Sequence, residues 1–332
     1  MPIFFRKQNT SLSPKFGWAF IGCGGIAEIT AKELLKTGEG VIVSAWNRTP
    51  ERTHHFVKKY GVTAYPTAKE AICAPGVDGV YIAVTANMHE YFVNLCIDNH
   101  KNVLCEKPFT VNARQAESVF SRAAKERVYV SEAMWTWHNA TAQTVKQWVQ
   151  SGKIGTIRQV NCDYSFPMIK FSKKPRHFSA ELIGGALLDI GVYGIRYCYE
   201  LFGMPNRIEC KGRLSNGIDL GEHITLHYDG FACNLRISRD ENDGERFEII
   251  GDQGTISVPM FHMAREAVMK GRFSERFRDH ALLYGKQFSA VAQEIRSGAK
   301  DEIRITPQST IDCLKIMDIC RTQMGLRYPC EE

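Results

Sequence analysis

The residues best suited to chemistry in this chain begin with Gly22-Cys23-Gly24-Gly25-Ile26-Ala27, a G-x-G-x-x-A pattern between an apolar run and a segment of helical periodicity. Gly22 permits a tight turn and Gly24 lets backbone approach a pyrophosphate. Ala27 lets the following helix lie close to a sheet, while Gly25 and Ile26 sit in its first turn, where free N–H groups face an anion. A dinucleotide cofactor is the expected occupant. An Asp or Glu closing the next strand would hydrogen-bond a ribose 2′-hydroxyl and repel a 2′-phosphate. Here that place reads Asn47-Arg48-Thr49, without an acid. Asn47 can donate to either group and Arg48 can make a charge-assisted fork to phosphate, so the segment predicts NADP(H) over NAD(H). Further on, Thr85-x-Asn87-x-His89 and Glu106-Lys107-Pro108 each follow a short apolar run. Both are thereby brought to the strand ends where open α/β sheets bind ligands. Thr85 and Asn87 suit helix capping equally well.

The elements that must position these residues are readable from periodicity. Between Phe16 and about Ser131, apolar runs near 16–21, 41–46, 78–84, 101–104 and 127–130 alternate with amphipathic stretches near 25–37, 50–59, 87–99 and 112–126. This is the rhythm of a doubly wound parallel sheet. A length of 332 residues predicts two domains. Residues 1–14 read as an arm, 15–135 as a dinucleotide-binding domain, and 136–332 as an α+β domain for substrate binding and oligomerisation. The second domain has period-two alternation around Asp229-Gly230, the signature of a hairpin in a large, mostly antiparallel open sheet. Helices near 140–151, 182–203, 281–297 and 308–325 are expected, the last three covering one face. The other face is left to pair with a second copy as a homodimer or higher homo-oligomer. A net charge of +6 is too diffuse for a nucleic-acid partner, and the basic run Arg265 to Arg278 reads as solvated. No apolar run reaches membrane-spanning length. Eleven cysteines without C-x-x-C spacing, among them Cys96, Cys105, Cys198 and Cys233 with apolar neighbours, read as reduced core residues of a cytoplasmic protein. His138 has no second ligand at metal spacing nearby, so no metal is expected.

Taken together, the glycine turn, Thr85-x-Asn87-x-His89, Glu106-Lys107-Pro108, Glu132-Ala133-Met134-Trp135 and Gly184-Gly185-Ala186-Leu187-Leu188-Asp189-Ile190-Gly191-Val192-Tyr193 resemble the Gfo/Idh/MocA family of oxidoreductases. The resemblance runs from Phe16 through nearly the whole chain. It is nearest to the dimeric dihydrodiol dehydrogenase and NADP-dependent xylose dehydrogenase branch, because Tyr193 stands where the inositol dehydrogenase-like branch has His. It implies that Tyr193 lies beside the Lys107 ammonium and the nicotinamide as general acid/base, although the lysine is itself sometimes assigned the proton transfer. The residue chemistry agrees. A phenol with pKa near 10 is a poor base until a cation stabilises the phenolate, and Lys107 can supply that charge. Asp189, one helical turn before Tyr193, is expected to take a substrate hydroxyl.

Trp135, Trp137, Phe166 and Arg176 are candidates for the substrate wall, since aromatic faces suit sugar C–H surfaces or a cyclic diol and Arg176 can bind a hydroxyl or carboxylate. Trp137 and Ala140 depart from the branch, which commonly has Arg and then Pro there. Trp137 either reshapes the pocket, replaces an arginine that helps hold the cofactor, or belongs to interdomain core. The resulting expectation is an NADP(H)-dependent oxidoreductase acting at a CH–OH or carbonyl carbon of a small sugar or cyclic trans-diol. The competing expectation is a non-catalytic NADP(H)-responsive regulator, against which the presence of both Lys107 and Tyr193 argues.

Overall fold

The computed structural model describes residues 14–168, 177–272, 274–299, 301 and 303–331. Six parallel strands form the first sheet: β1 (Phe16–Ile21), β2 (Gly40–Trp46), β3 (Thr63–Ala64), β4 (Gly79–Ile82), β5 (Asn102–Glu106) and β6 (Val130–Ala133), in the order β3-β2-β1-β4-β5-β6. Helices cover both faces, so β1 is buried at every position and its alternate residues feed two cores. Phe16, Trp18 and Phe20 pack with Phe56 and Phe288, while Ala19 and Ile21 pack with Val80, Ile82 and Val103. The helices are α1 (Gly25–Thr37), α2 (Pro50–Tyr60), α3 (Ala68–Ile72), α4 (His89–Asp98) and α5 (Ala113–Glu126). Periodicity misses β3 and α3 because two and five residues are too short to show a period. The only local sign of α3 is the reciprocal capping box between Thr67 and Glu70.

After α6 (Ala140–Gln150) comes an eight-stranded sheet. It contains β7 (Ile157–Ser165), β8 (Arg207–Ser215), β9 (Ile218–Tyr228), β10 (Phe231–Ser238), β11 (Gly244–Gly251), β12 (Gly254–Pro259), β13 (Glu266–Gly271) and β14 (Glu275–Arg278), in the order β14-β13-β12-β11-β7-β10-β9-β8. All pairings are antiparallel except β7 with β10. The expected hairpin is there, with Tyr228 opposite Phe231. Val160, Cys162, Leu235, Ile237, Phe247 and Ile249 face the core. The opposite face is polar, with Asp163 paired to Arg236 and Arg246, and Glu266 to Arg276 and Arg278. Among the described residues, no helix is long and apolar enough to cross a membrane. Every cysteine is a free thiol, nine of them buried.

The long helix expected near 182–203 forms only over α7 (Val192–Phe202). A one-turn 3₁₀ segment at Ala180–Leu182 and a π-helical turn at Leu187–Gly191 precede it. The cause is Asp219 on β9, whose buried carboxylate accepts the N–H groups of Ala186 (2.8 Å) and Leu187 (2.5 Å). It lies so close that a Cβ on Gly185, whose φ is +123°, would meet it at 2.1 Å. The chain is therefore redirected at the residues that deliver Asp189. Beyond the sheet, α8 (Gly285–Arg296) returns to the first sheet's layer, with Tyr284 and Gly285 N–H donating to Glu33 on α1 at 2.6 and 2.9 Å. The last helix, α9 (Pro307–Met324), packs on β8, α7 and α5.

Candidate active site

The glycine turn has the shape a pyrophosphate needs. Gly22 has φ +103°, and a Cβ there would strike the Ala83 carbonyl oxygen at 2.4 Å. Gly24 is different: a Cβ on it would meet nothing within 4 Å, so the protein itself leaves that space open. It is the N-cap of α1 and makes no side-chain cap, so first-turn N–H groups at Gly25, Ile26 and Ala27 remain available to an anion. The turn fits a dinucleotide. Asn47 ties it to the end of β2 through Oδ1, which accepts from Cys23 N–H at 3.1 Å, and donates from Nδ2 to Thr49 O. Arg48 next to it is exposed, with no ion pair among the described residues.

At the ends of β4 and β5 the remaining residues converge. Lys107 is 13% exposed, and its Nζ donates to the Asp189 backbone oxygen (2.6 Å) and to Oδ1 (2.8 Å) while lying 5.0 Å from the Tyr193 ring centroid. A cleft of about 50 Å³ beside them is lined by Thr85, His89, Lys107, His177 and Asp189 among others. A wider groove of about 620 Å³ lies elsewhere, between α6 and α8, and takes in His138 and Ala140. Asp189 gathers three basic groups, since Arg239 pairs with its Oδ2 and His177 Nδ1 lies 3.6 Å from the same atom. Tyr193 is packed against Trp135, Tyr164 and His262, and its hydroxyl accepts from Trp135 Nε1 at 3.1 Å.

The electrostatics differ from the expectation on one point. The sequence reading has Lys107 lowering the Tyr193 pKa, whereas in the structure burial pushes that phenol well above its ordinary value, and the neighbouring Tyr284, Tyr164 and Glu106 push the same way. The Lys107 ammonium is balanced by Asp189, with its Nζ 5.0 Å from the Tyr193 ring centroid. Tyr193 is thus held as the neutral phenol.

Other expected site residues occupy supporting positions. Glu106 is buried, which raises its pKa; it accepts from Tyr81 OH at 2.5 Å and from Lys107 N–H at 3.3 Å. His89 places Nδ1 2.8 Å from Pro108 O and Nε2 3.3 Å from Val84 O. Burial holds its pKa down, and the neutral ring, with a single N–H, donates to one of these two carbonyls at a time, the Pro108 oxygen being the nearer. Asn87 donates to Glu181 O at 2.9 Å, and Thr85 makes no side-chain cap. Of the readings left open for Trp137, the structure favours interdomain core: it is 1% exposed, its ring tilted against Tyr197 with centroids 5.0 Å apart, within the core between the sheets. Phe166 stands just past the end of β7, 43% exposed. Arg176 lies outside the described residues.

Sequence reasoning misses His177, Arg239, Tyr164, His262 and Tyr284, which come from separate segments of the second sheet and its connections. For Arg239 a faint signal existed: it directly follows the apolar alternation of β10, where a strand of the second sheet runs out. It also misses a buried strut. Glu132, 2% exposed at the end of β6, accepts Phe109 N–H at 3.2 Å through one oxygen. Through the other it accepts Thr310 Oγ1 at 3.0 Å and pairs with Arg196. Arg196, on α7 and 1% exposed, also donates to Ser309 at 2.8 Å.

A Rossmann sheet whose open glycine cradle shares its ligand edge with Lys107, and with Asp189 and Tyr193 brought in by the π-helical turn and α7, defines an NAD(P)-dependent oxidoreductase. The chain belongs to the Gfo/Idh/MocA family: the oxidoreductase family model with NAD-binding Rossmann fold matches residues 16–134, and the family's C-terminal domain model matches 142–257. Its members act as dehydrogenases on CH–OH groups. The chain is 29% identical to scyllo-inositol 2-dehydrogenase (NADP(+)) of Bacillus subtilis, covering 95% of this chain and 99% of that one. It is likewise 29% identical to D-xylose 1-dehydrogenase (NADP(+)) of Hypocrea jecorina, over 94% and 93%. To the human trans-1,2-dihydrobenzene-1,2-diol dehydrogenase it is 29% identical over 94% and 98%. Among solved structures, a 3-ketoreductase from Actinomadura kijaniata with NADP and TDP-benzene superposes with a TM-score of 0.83 at 23% identity, covering 94% of this chain and 98% of that one, a likeness of fold.

Proposed function

We propose that this chain moves a hydride between the nicotinamide of NADP(H) and a secondary alcohol or hemiacetal carbon of a small polyhydroxylated substrate, a sugar or a cyclic trans-diol. The observation that carries this reading is the Lys107 ammonium, held between Asp189 and the Tyr193 ring at the same sheet edge as the glycine cradle. When bound, the cofactor supplies the hydride or accepts it. The residues supply the rest. Lys107 donates to the substrate oxygen and polarises it, Asp189 holds Lys107 and takes a neighbouring hydroxyl, and Tyr193 carries the proton. Thr85, Asn87, His89 and Glu106 support the cofactor end, directly or by bracing the loops around it.

The raised Tyr193 pKa gives a pH dependence. The neutral phenol, able to protonate a forming alkoxide, persists until pH approaches that raised value, so reduction should stay level across neutral pH. Oxidation needs the phenolate, whose fraction grows tenfold per pH unit below the pKa. The oxidative kcat should therefore rise through to about pH 10. A plateau near neutrality would assign the proton to another group. Tyr193→Phe should abolish that slope and cost about 10²–10³ in kcat, with NADPH affinity held within about twofold. Comparable losses in both would contradict the role.

For the cofactor, Arg48 is exposed beside the turn, with no ion pair among the described residues, which suits a 2′-phosphate. Two of the relatives are NADP(+) enzymes. Arg48→Ala should weaken NADPH binding about tenfold and leave NADH binding as it was. Equal affinity for NADPH before and after the change, by fluorescence titration, removes the assignment. We place subunit pairing on the polar face of the eight-stranded sheet of a cytoplasmic homo-oligomer, which light scattering would test as a mass above that of one chain. The decisive assay is the initial rate of NADP⁺ reduction, with NAD⁺ in parallel, against aldoses, inositols and cyclic trans-diols. Turnover of one class is expected. Silence across the panel in a protein that binds NADPH would favour the regulator.

A further inference from the structure

The segment Phe261–Met263 forms a single 3₁₀ turn that delivers one imidazole into the aromatic group around Tyr193. The chain enters it through Met260, a non-glycine residue with φ +49°, a left-handed conformation that carries strain and persists only where surroundings enforce it. The enforcement is visible on both sides. Thr136 Oγ1 donates to His262 O at 2.8 Å, and Tyr197 OH donates to Phe261 O at 3.1 Å. The His262 ring is then aimed by Glu245 of β11, whose carboxylate is 6% exposed. One of its oxygens accepts the His262 backbone N–H at 2.8 Å and lies 2.7 Å from Nδ1.

This pairing keeps the ring proton on Nδ1 and leaves Nε2 as a lone-pair acceptor. Among the described residues, Nε2 has no hydrogen-bond partner and is not sealed from solvent, in a side chain 16% exposed. The ring lies against Tyr164 at 4.8 Å and has its centroid 5.4 Å from Tyr193 and 5.9 Å from Trp135. Lys107 approaches the same tyrosine, at 5.0 Å from its ring centroid. An oriented acceptor therefore stands within one side-chain length of the proton-carrying residue, in surroundings otherwise aromatic.

We infer that His262, oriented by Glu245, is a specificity-determining residue that accepts a hydrogen bond from a second hydroxyl of the substrate, adjacent to the one that is oxidised. The inference rests on the function proposed above. It makes a vicinal diol the preferred substrate and leaves a mono-alcohol one contact short.

The test compares trans-1,2-cyclohexanediol with cyclohexanol under saturating NADP⁺, in wild type, His262→Phe and Glu245→Gln. Wild type should prefer the diol in kcat/KM. His262→Phe should reduce the diol-to-mono-alcohol ratio by about tenfold or more, Glu245→Gln should reduce it less, and His262→Asn, which keeps an acceptor, should restore part of it. NADPH affinity, measured on each variant, reports whether the fold is intact. An unchanged ratio in a variant that binds NADPH overturns the inference. If wild type oxidises neither alcohol, the preference for a vicinal diol is overturned, while the proposed function stands or falls with the assay on aldoses and inositols. The imidazole ¹⁵N resonances of the NADPH-bound protein should shift at Nε2 with the diol and not with cyclohexanol. No shift with the diol overturns it.

Discussion

Replacing Lys107 with methionine should lower kcat about a thousandfold while NADPH binds within about twofold of wild type. The reason is the placement of one charge. Lys107 places its ammonium 5.0 Å from the Tyr193 ring centroid, and methionine matches its stem without the charge, so the packing of the strand end is kept. Asp189 would still be balanced by Arg239 and would keep its place through the Asp219 contacts to Ala186 and Leu187. What is lost is the donor that polarises the substrate oxygen. Single-turnover hydride transfer at saturating substrate separates this from binding. A loss confined to KM would show that Lys107 only binds. Lys107→Arg distinguishes two roles, because guanidinium keeps the charge but does not deprotonate. Partial recovery is expected if the lysine acts electrostatically, and none if it passes the proton itself.

The second large effect is on stability. Arg196→Met should lower the free energy of unfolding by about 3–5 kcal/mol, because it leaves the Glu132 carboxylate buried without its counter-charge. Both partners are almost fully excluded from solvent, and the pair joins β6 of the first sheet to α7 of the second. Adding Glu132→Leu to Arg196→Met should restore most of the loss, since a buried pair replaced by apolar residues is often close to neutral. Denaturant midpoints of wild type, single and double variants read this directly. A loss under about 1 kcal/mol for Arg196→Met would mean that water reaches the strut. The strut also bears on the site. Glu132 holds Phe109, two residues after Lys107, and Arg196 lies one turn after Tyr193 on α7.

Much of this molecule is legible in the chain because the signals are local. The glycine turn, the buried runs of β1, β4 and β5, and the period of α1 and α5 are set by neighbours a few residues apart, and each element formed within a few residues of its expected place. Lys107 is at a ligand-binding sheet edge for the same reason: a residue that ends a parallel strand can emerge nowhere else. Readings stayed open or failed where the outcome depends on what arrives from elsewhere. Trp137 in sequence is an aromatic beside a motif, and only the arrival of Tyr197 makes it core. The segment 182–203 has helical periodicity, but Asp219 draws off the N–H groups of Ala186 and Leu187 and replaces the first turns with a π-helical turn.

By itself, the sequence determined a Rossmann sheet followed by a mostly antiparallel one, the place of the cofactor cradle, and the identity of Lys107, Asp189 and Tyr193 as candidates. Only the tertiary structure decided how those three share their charges, that Tyr193 is kept neutral by burial, and that His177, Arg239, His262 and Glu245 join them. The division has a physical cause. Strand and helix formation answers to spacing along the chain, whereas desolvation and ion pairing depend on distances between segments far apart in it, as Lys107 and Asp189 are at a separation of 82 residues.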